Sequence, residues 1–229
     1  MGALTKFTKL SGAALLTAGL VAGGTLAATA ASADEQPIEP ADAPEIMERP
    51  WPAYPDDAET HRNIWVATLY LNNQIDDDGN PYWGQPPTNT FSPELEEALS
   101  VYQDDMELGE HGHLKEEMWG HFSDLQFGST AAEVPWGPRE GQNFYTVGDS
   151  GPGVHALQSL LEFHEYLPPE GVDGDFGTDT EQAVIEFQTD VVCDEADIGV
   201  SASDCIDGLV GEVTWRAQVA FEPDEVQTQ

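Results

Sequence analysis

The chain has 229 residues, with 43 Asp and Glu against 7 Lys and Arg and a formal net charge of −36 at pH 7. A surface of that sign repels phosphate polymers and anionic lipid, which excludes nucleic acid and bilayer binding as primary functions. The acidity itself reads as a solubility device, suited also to a salty medium that screens self-repulsion.

The first element is a leader. Lys6 and Lys9 precede the uncharged run "GAALLTAGLVAGGTLAATAA", which ends at Ala31-Ser32-Ala33, a small-x-small cleavage pattern. Residues 1–33 therefore read as a secretory signal peptide, and the mature protein as secreted, with no membrane contact after cleavage. Loss of Lys6 and Lys9 leaves five cations against 43 acids, 5 − 43 = −38. Residues 34–60 are rich in Pro, Asp and Glu and lack a sustained period, which predicts an irregular arm with Trp51 and Tyr54 placed to pin its end to the body.

Helical spacing begins at "HRNIWVATLYLNN" (61–73), where Ile64, Ala67 and Leu71 share a face. "FSPELEEALSVYQ" (91–103) follows, with Ser92 as cap and Pro93 as first helical residue, and then "GHLKEEMWGHF" (112–122). These make a unit over 61–125, joined by a linker at 126–146 to a second over 147–220, with a tail at 221–229. In the second unit Ser150 or Asp149 can cap a helix opened by Pro152, whose apolar face is Val154, Leu157, Leu160 and Leu161. "LPPEGVDGDFG" breaks that helix. Thr178 starts the next, with Glu181 completing a capping box and Ala183, Val184, Phe187 and Val191 as the buried stripe. "EVTWRAQV" is a short third helix. Cys193 and Cys205 are the two cysteines, and export predicts a disulfide between them across a short acidic loop.

The two units repeat one another. Phe91, Ala98, Leu99, Tyr102 and Gln103 match Phe176, Ala183, Val184, Phe187 and Gln188 at an offset of 85. Gly112, Glu116 and Trp119 match Gly208, Glu212 and Trp215 at an offset of 96, so the second copy carries 96 − 85 = 11 extra residues, where the cysteine loop falls.

Chemical motifs are few. Gly174, Gly177, Gly208 and Gly211 precede helices and read as architectural turns, with Asp173 and Asp207 bonding amides two residues on. His111, His113 and His121 are the one metal-like cluster, but the repeat puts Trp119 in the core between them and no HExxH frame appears. "IDDDGNP" (75–81) alternates acids like a calcium loop, yet Gly79 is misplaced and no Glu falls at the twelfth position, so it reads as a turn. No nucleophile motif is present, and no cofactor is expected.

The second unit resembles the peptidoglycan-binding domain type 1, a three-helix module of bacterial cell-wall proteins. The resemblance rests on Gly148, Gly151, Leu157-Gln158, Asp173-Gly174-x-Phe176-Gly177, Thr180, Ala183-Val184, Phe187-Gln188, Asp207-Gly208-x-Val210-Gly211 and Thr214-Trp215. The first unit is similar to a degenerate copy that keeps Phe91, Ala98, Gln103 and Trp119 but loses the first Asp-Gly pair. The resemblance implies an all-α fold of two tandem three-helix orthogonal bundles with long loops. It implies a non-catalytic protein, extracellular or wall-associated in a bacterium, that binds peptidoglycan glycan or stem peptide in a targeting or accessory role, with a wall hydrolase as partner. A shallow groove with aromatic stacking suits such a ligand, and the candidate binding residues are Tyr166, Asp175, Gln188 and Arg216. Two other classes stay open: a wall amidase or peptidase with a metal on His111, His113 and His121, and a structural protein that keeps the fold without binding the wall.

Overall fold

The computed structural model describes residues 36–54, 59–109, 111–128, 134–139, 141–193 and 205–223. The leader and the interior of the cysteine loop lie outside them. Among the described residues the fold is all-α: α1 (Pro44–Glu48), α2 (Arg62–Asn72), α3 (Pro93–Asp105), α4 (Glu116–Phe127), α5 (Pro152–Phe163), α6 (Thr178–Phe187) and α7 (Glu212–Ala220), with isolated bridges and no strand. A π-helical turn, Gln188–Val192, prolongs α6, and the Cys193–Cys205 disulfide follows it.

Local sequence sets most helix starts. Ser92 caps α3 by accepting from the Leu95 amide, with Pro93 in the first turn. Two expected caps are not made. Gly151, at φ 117°, caps α5 without a side-chain bond, and Asp149 Oδ2 accepts from the Thr146 amide instead. Thr178 is already the first helical residue of α6, after Gly177, so no capping box with Glu181 forms. The cause is a pair of backbone bonds, Phe176 N to the Asp149 carbonyl (2.8 Å) and Gly148 N to the Phe176 carbonyl (2.9 Å), which hold the chain extended just before the helix.

The apolar faces meet in one continuous core. α2 lies along α5, and α7 packs against α1, α4 and α5. Trp119 of α4 and Trp215 of α7 sit with ring centroids 6.4 Å apart. Residues 134–139 and 141–146, expected between the units, are part of this core: Trp136 stacks on Tyr70 at 4.1 Å, and Tyr145 pairs its backbone with Val210. Helices from both halves of the chain feed this core, which gives buried surface that a stretch of about 60 residues would lack alone.

The arm also folds onto the body. It contains α1, whose five residues are too few to show a helical period in the sequence, and it buries Ile38 and Ile46. Arg216 Nε donates to the Ile46 carbonyl (3.0 Å), and its guanidinium lies 3.9 Å from the Trp51 ring centroid. Trp119 Nε1 donates to the Pro52 carbonyl (3.1 Å). Arg49 Nε donates to the Ala220 carbonyl (3.1 Å) and covers Phe221. In a chain so poor in cations, two arginines are thus spent on holding the arm to α7.

Two buried glutamines fix the Asp-Gly turns. Gln158 Nε2 reaches Asp173 Oδ1, the Asp175 carbonyl and Thr180 Oγ1, each at 3.0 Å, while its Oε1 accepts from the amides of Asp173 (3.1 Å) and Gly174 (2.7 Å). Gln188 Nε2 reaches Asp207 Oδ1 (2.8 Å), the Leu209 carbonyl (3.0 Å) and Thr214 Oγ1 (3.2 Å), while its Oε1 accepts from the amides of Asp207 (3.1 Å) and Gly208 (2.9 Å). Each helix thereby clamps the turn that leads into the next.

Candidate functional site

α5 ends in a turn that projects an aromatic ring. Glu165 takes the left-handed conformation (φ 67°), and the Tyr166 amide returns to the Leu161 carbonyl at 2.9 Å. This sets the Tyr166 ring edge-on against buried Phe187, centroids 5.4 Å apart, with its hydroxyl donating to Asp190 Oδ2 on the π turn (3.1 Å). Burial, reinforced by the Asp190 charge, raises the phenol far above its ordinary range, so it stays protonated and a donor.

Beside it opens a cleft of about 570 Å³, lined by Arg62, Glu162, Phe163, Glu165, Tyr166, Leu167, Pro168 and Pro169. Arg62 at the start of α2 pairs with Glu162 at 2.6 Å, so the cleft sits where α2 meets the end of α5. Aromatic and proline surface with a few oriented charges suits a neutral or zwitterionic ligand better than a strongly charged one.

Of the four residues singled out from sequence, Tyr166 lines this cleft. Asp175 is exposed on the Asp-Gly turn, where its backbone pairs with Ser150, and does not line it. Gln188 is fully buried in its clamp and Arg216 is buried against the arm, so both side chains serve the fold. Arg62, Phe163, Pro168 and Pro169 went unmarked in the sequence. The Leu-Pro-Pro run after an aromatic helix end was the available signal, and it read only as a helix breaker.

The histidines go to separate partners. His111 Nδ1 meets Asp104 (3.1 Å), His121 Nε2 meets the Tyr102 hydroxyl (2.8 Å), and the His113 carbonyl accepts from Gln103 Nε2 (2.9 Å). Among the described residues no three His, Cys, Asp or Glu are grouped to hold a metal ion. "IDDDGNP" is a turn in which Asp76 Oδ1 accepts from the amides of Asp78 (3.0 Å) and Asn80 (2.8 Å).

Residues 150–191 match the family model for a putative peptidoglycan binding domain. The matched stretch runs from the residue before the α5 cap to the π turn, and so contains Tyr166, Phe187 and Asp190. No curated protein and no solved structure gives a significant match. The matched segment agrees with cell-wall association, and the disulfide is compatible with an extracellular setting. Among the described residues no helix is long and apolar enough to cross a membrane.

Asp207 gives the fold a pH dependence. Burial pushes its carboxyl from 3.8 up to about 6, held back by the bonds from Gln188 and the Leu209 amide. A carboxyl with a raised folded pKa stabilises the fold fully below pH 3.8, and that contribution is lost as pH rises through about 6. The expected loss between pH 4 and 7 is up to about 3 kcal/mol. Urea unfolding across that range should show a flatter profile for Asp207→Asn than for wild type. Parallel profiles would contradict it.

Proposed function

We propose that this is a secreted, non-catalytic protein that binds peptidoglycan through the Tyr166 cleft, in a targeting or accessory role. The observation that carries the reading is the match of residues 150–191 to a peptidoglycan binding domain, with an aromatic cleft inside the matched stretch. The Tyr166 ring offers a stacking edge for a sugar or a stem-peptide side chain, and the Arg62–Glu162 pair offers one donor and one acceptor head.

We further propose that residues 61–125 are a degenerate copy of the unit at 147–220. Hydrogen bonding supports this beyond the sequence match. The bonds Phe91 N to Glu59 O (2.8 Å) and His61 N to Asn89 O (2.8 Å) parallel Phe176 N to Asp149 O (2.8 Å) and Gly151 N to Gly174 O (2.9 Å). Gln103 binds the Gly112 amide (2.7 Å) and the His113 carbonyl (2.9 Å), as Gln188 binds those of Gly208 and Leu209. Gly112 and Gly208 share a left-handed φ (77° and 73°), and a Cβ on either would crowd helix residues 85 apart, Glu96 and Ser100 or Glu181 and Ile185. Thr68 and Thr88 stand in for the lost Gln158–Asp173 pair, with the Thr88 amide donating to Thr68 Oγ1 (3.1 Å).

Co-sedimentation of the chain without its leader with purified sacculi tests the function. Wild type should pellet at moderate salt, and Tyr166→Ala should bind at least about tenfold more weakly, a difference of about 1.4 kcal/mol. Wild type that stays in the supernatant would leave the structural reading in its place.

A further inference from the structure

Tyr166 has a counterpart in the first unit that the sequence alignment does not pair with it. Tyr82 emerges from the turn after α2, which the Ile75–Pro81 bridge and the Tyr82 amide bond to the Gln74 carbonyl (3.1 Å) close. Its ring stands edge-on to buried Tyr102, centroids 4.8 Å apart and planes at 86°, and its hydroxyl donates to Asp105 Oδ2 at 2.9 Å. The Tyr166 ring stands edge-on to Phe187 at 5.4 Å and 87°, with its hydroxyl on Asp190 Oδ2 at 3.1 Å. Tyr102 and Phe187 are 85 residues apart, as are Asp105 and Asp190, which is the offset that relates α3 to α6.

The two tyrosines reach these places by different routes. Tyr166 follows α5 by three residues, whereas Tyr82 follows α2 by ten, after an acidic turn. Core packing alone does not call for the pair, since a phenylalanine would fill the same space. Both rings are half-buried, and both aspartates are exposed at helix ends, each accepting from its tyrosine through Oδ2. Burial and Asp105 push the Tyr82 phenol up to about 12, so it stays a donor and leaves the carboxylate an acceptor. Large exposed apolar side chains flank this pair: Ile75, 65% exposed, opposite Pro81, and Met106, 37% exposed, next to Asp105.

We infer that Tyr82 and Asp105, flanked by Ile75 and Met106, form a second contact site for the same wall polymer, so that the protein is bivalent. The tyrosine edge and the apolar flank take the C–H face of a sugar ring, and the carboxylate takes a hydroxyl or an ammonium group. This rests on the reading of the Tyr166 cleft as a wall-binding site. Because both units share one core, the two sites are held at a fixed spacing. A long or cross-linked polymer that engages both gains avidity that a short fragment cannot.

The test compares wild type, Tyr82→Ala, Tyr166→Ala and the double variant on sacculi and on a short soluble muropeptide. On sacculi each single variant should bind about tenfold more weakly and the double about a hundredfold, with a smaller wild-type advantage on the soluble fragment. Tyr82→Ala binding like wild type while Tyr166→Ala loses binding overturns the second site and leaves the proposed function standing. Loss in Tyr82→Ala alone leaves a single site at Tyr82 and overturns both the Tyr166 cleft and bivalence. Wild type that fails to bind sacculi overturns both. If near-UV circular dichroism shows Tyr82→Ala unfolded, Asp105→Asn at the exposed helix end carries the test: a loss of about threefold or more supports the site, and unchanged binding overturns it.

Discussion

Gly153→Ala should cost at least about 3 kcal/mol of stability, enough to lower the melting temperature by about 10 °C in a chain of this size. Helix propensity alone predicts the opposite sign, because alanine in a helix interior is worth about 1 kcal/mol over glycine. The difference is what the missing side chain makes room for. A methyl at Gly153 would overlap the Trp136 carbonyl oxygen and the Tyr145 hydroxyl and lie 2.9 Å from Tyr145 Cζ. Neither can give way cheaply. The Tyr145 hydroxyl is 2.6 Å from that same carbonyl and 2.9 Å from Gln126 Oε1, and Trp136 is stacked on Tyr70. Gly153 is thus where the first turn of α5 presses against the segment before it that holds Trp136 and Tyr145. Gly120, inside α4, is the internal control, since a Cβ there meets nothing within 4 Å. Gly120→Ala should be neutral or stabilise by up to about 1 kcal/mol. Thermal unfolding of the two variants side by side decides the matter. Equal melting temperatures would mean that the contact at Gly153 relaxes without cost.

The helices were legible because their information is local. Ser92-Pro93 announces α3, Pro152 announces α5, and apolar residues recur at helical spacing in α2, α3, α5 and α6. The pairing of Gln103 with Gln188 was visible as an identity, though not the reason for it, which is a clamp on a turn nine to twenty residues away. Trp51 and Tyr54 do pin the end of the arm, against Trp215 and Asn63, but its helix was illegible because α1 is held by partners more than 160 residues off, such as Arg216 and Ala220. Those long-range bonds also explain why Arg216, a candidate binding residue from the sequence, is buried against the arm. The cleft is harder still to read. Its walls come from α2, the end of α5 and a proline turn, and no window of sequence holds them together.

Gln188→Ala should be comparably damaging, with a loss of about 3 to 4 kcal/mol, because truncation leaves several buried polar groups unpaired at once. The lost amide served Asp207, Leu209 and Thr214 through its nitrogen and the Asp207 and Gly208 amides through its oxygen. Only the carboxylate of Asp207 has another donor at hand, the Leu209 amide at 2.7 Å. Water could replace the amide only by entering a site where Gln188 is itself fully buried. Gln182, exposed on α6 with a bond to Glu186, is the matched control and should change stability by no more than about 0.5 kcal/mol when replaced by alanine. The same variant separates two roles for Gln188. If it holds the turn, Gln188→Ala unfolds at lower urea yet binds sacculi like wild type wherever it remains folded. If it touches ligand, binding falls in fully folded protein. Unfolding midpoints and co-sedimentation measured on one preparation distinguish the two, and the five bonds in the clamp predict the first.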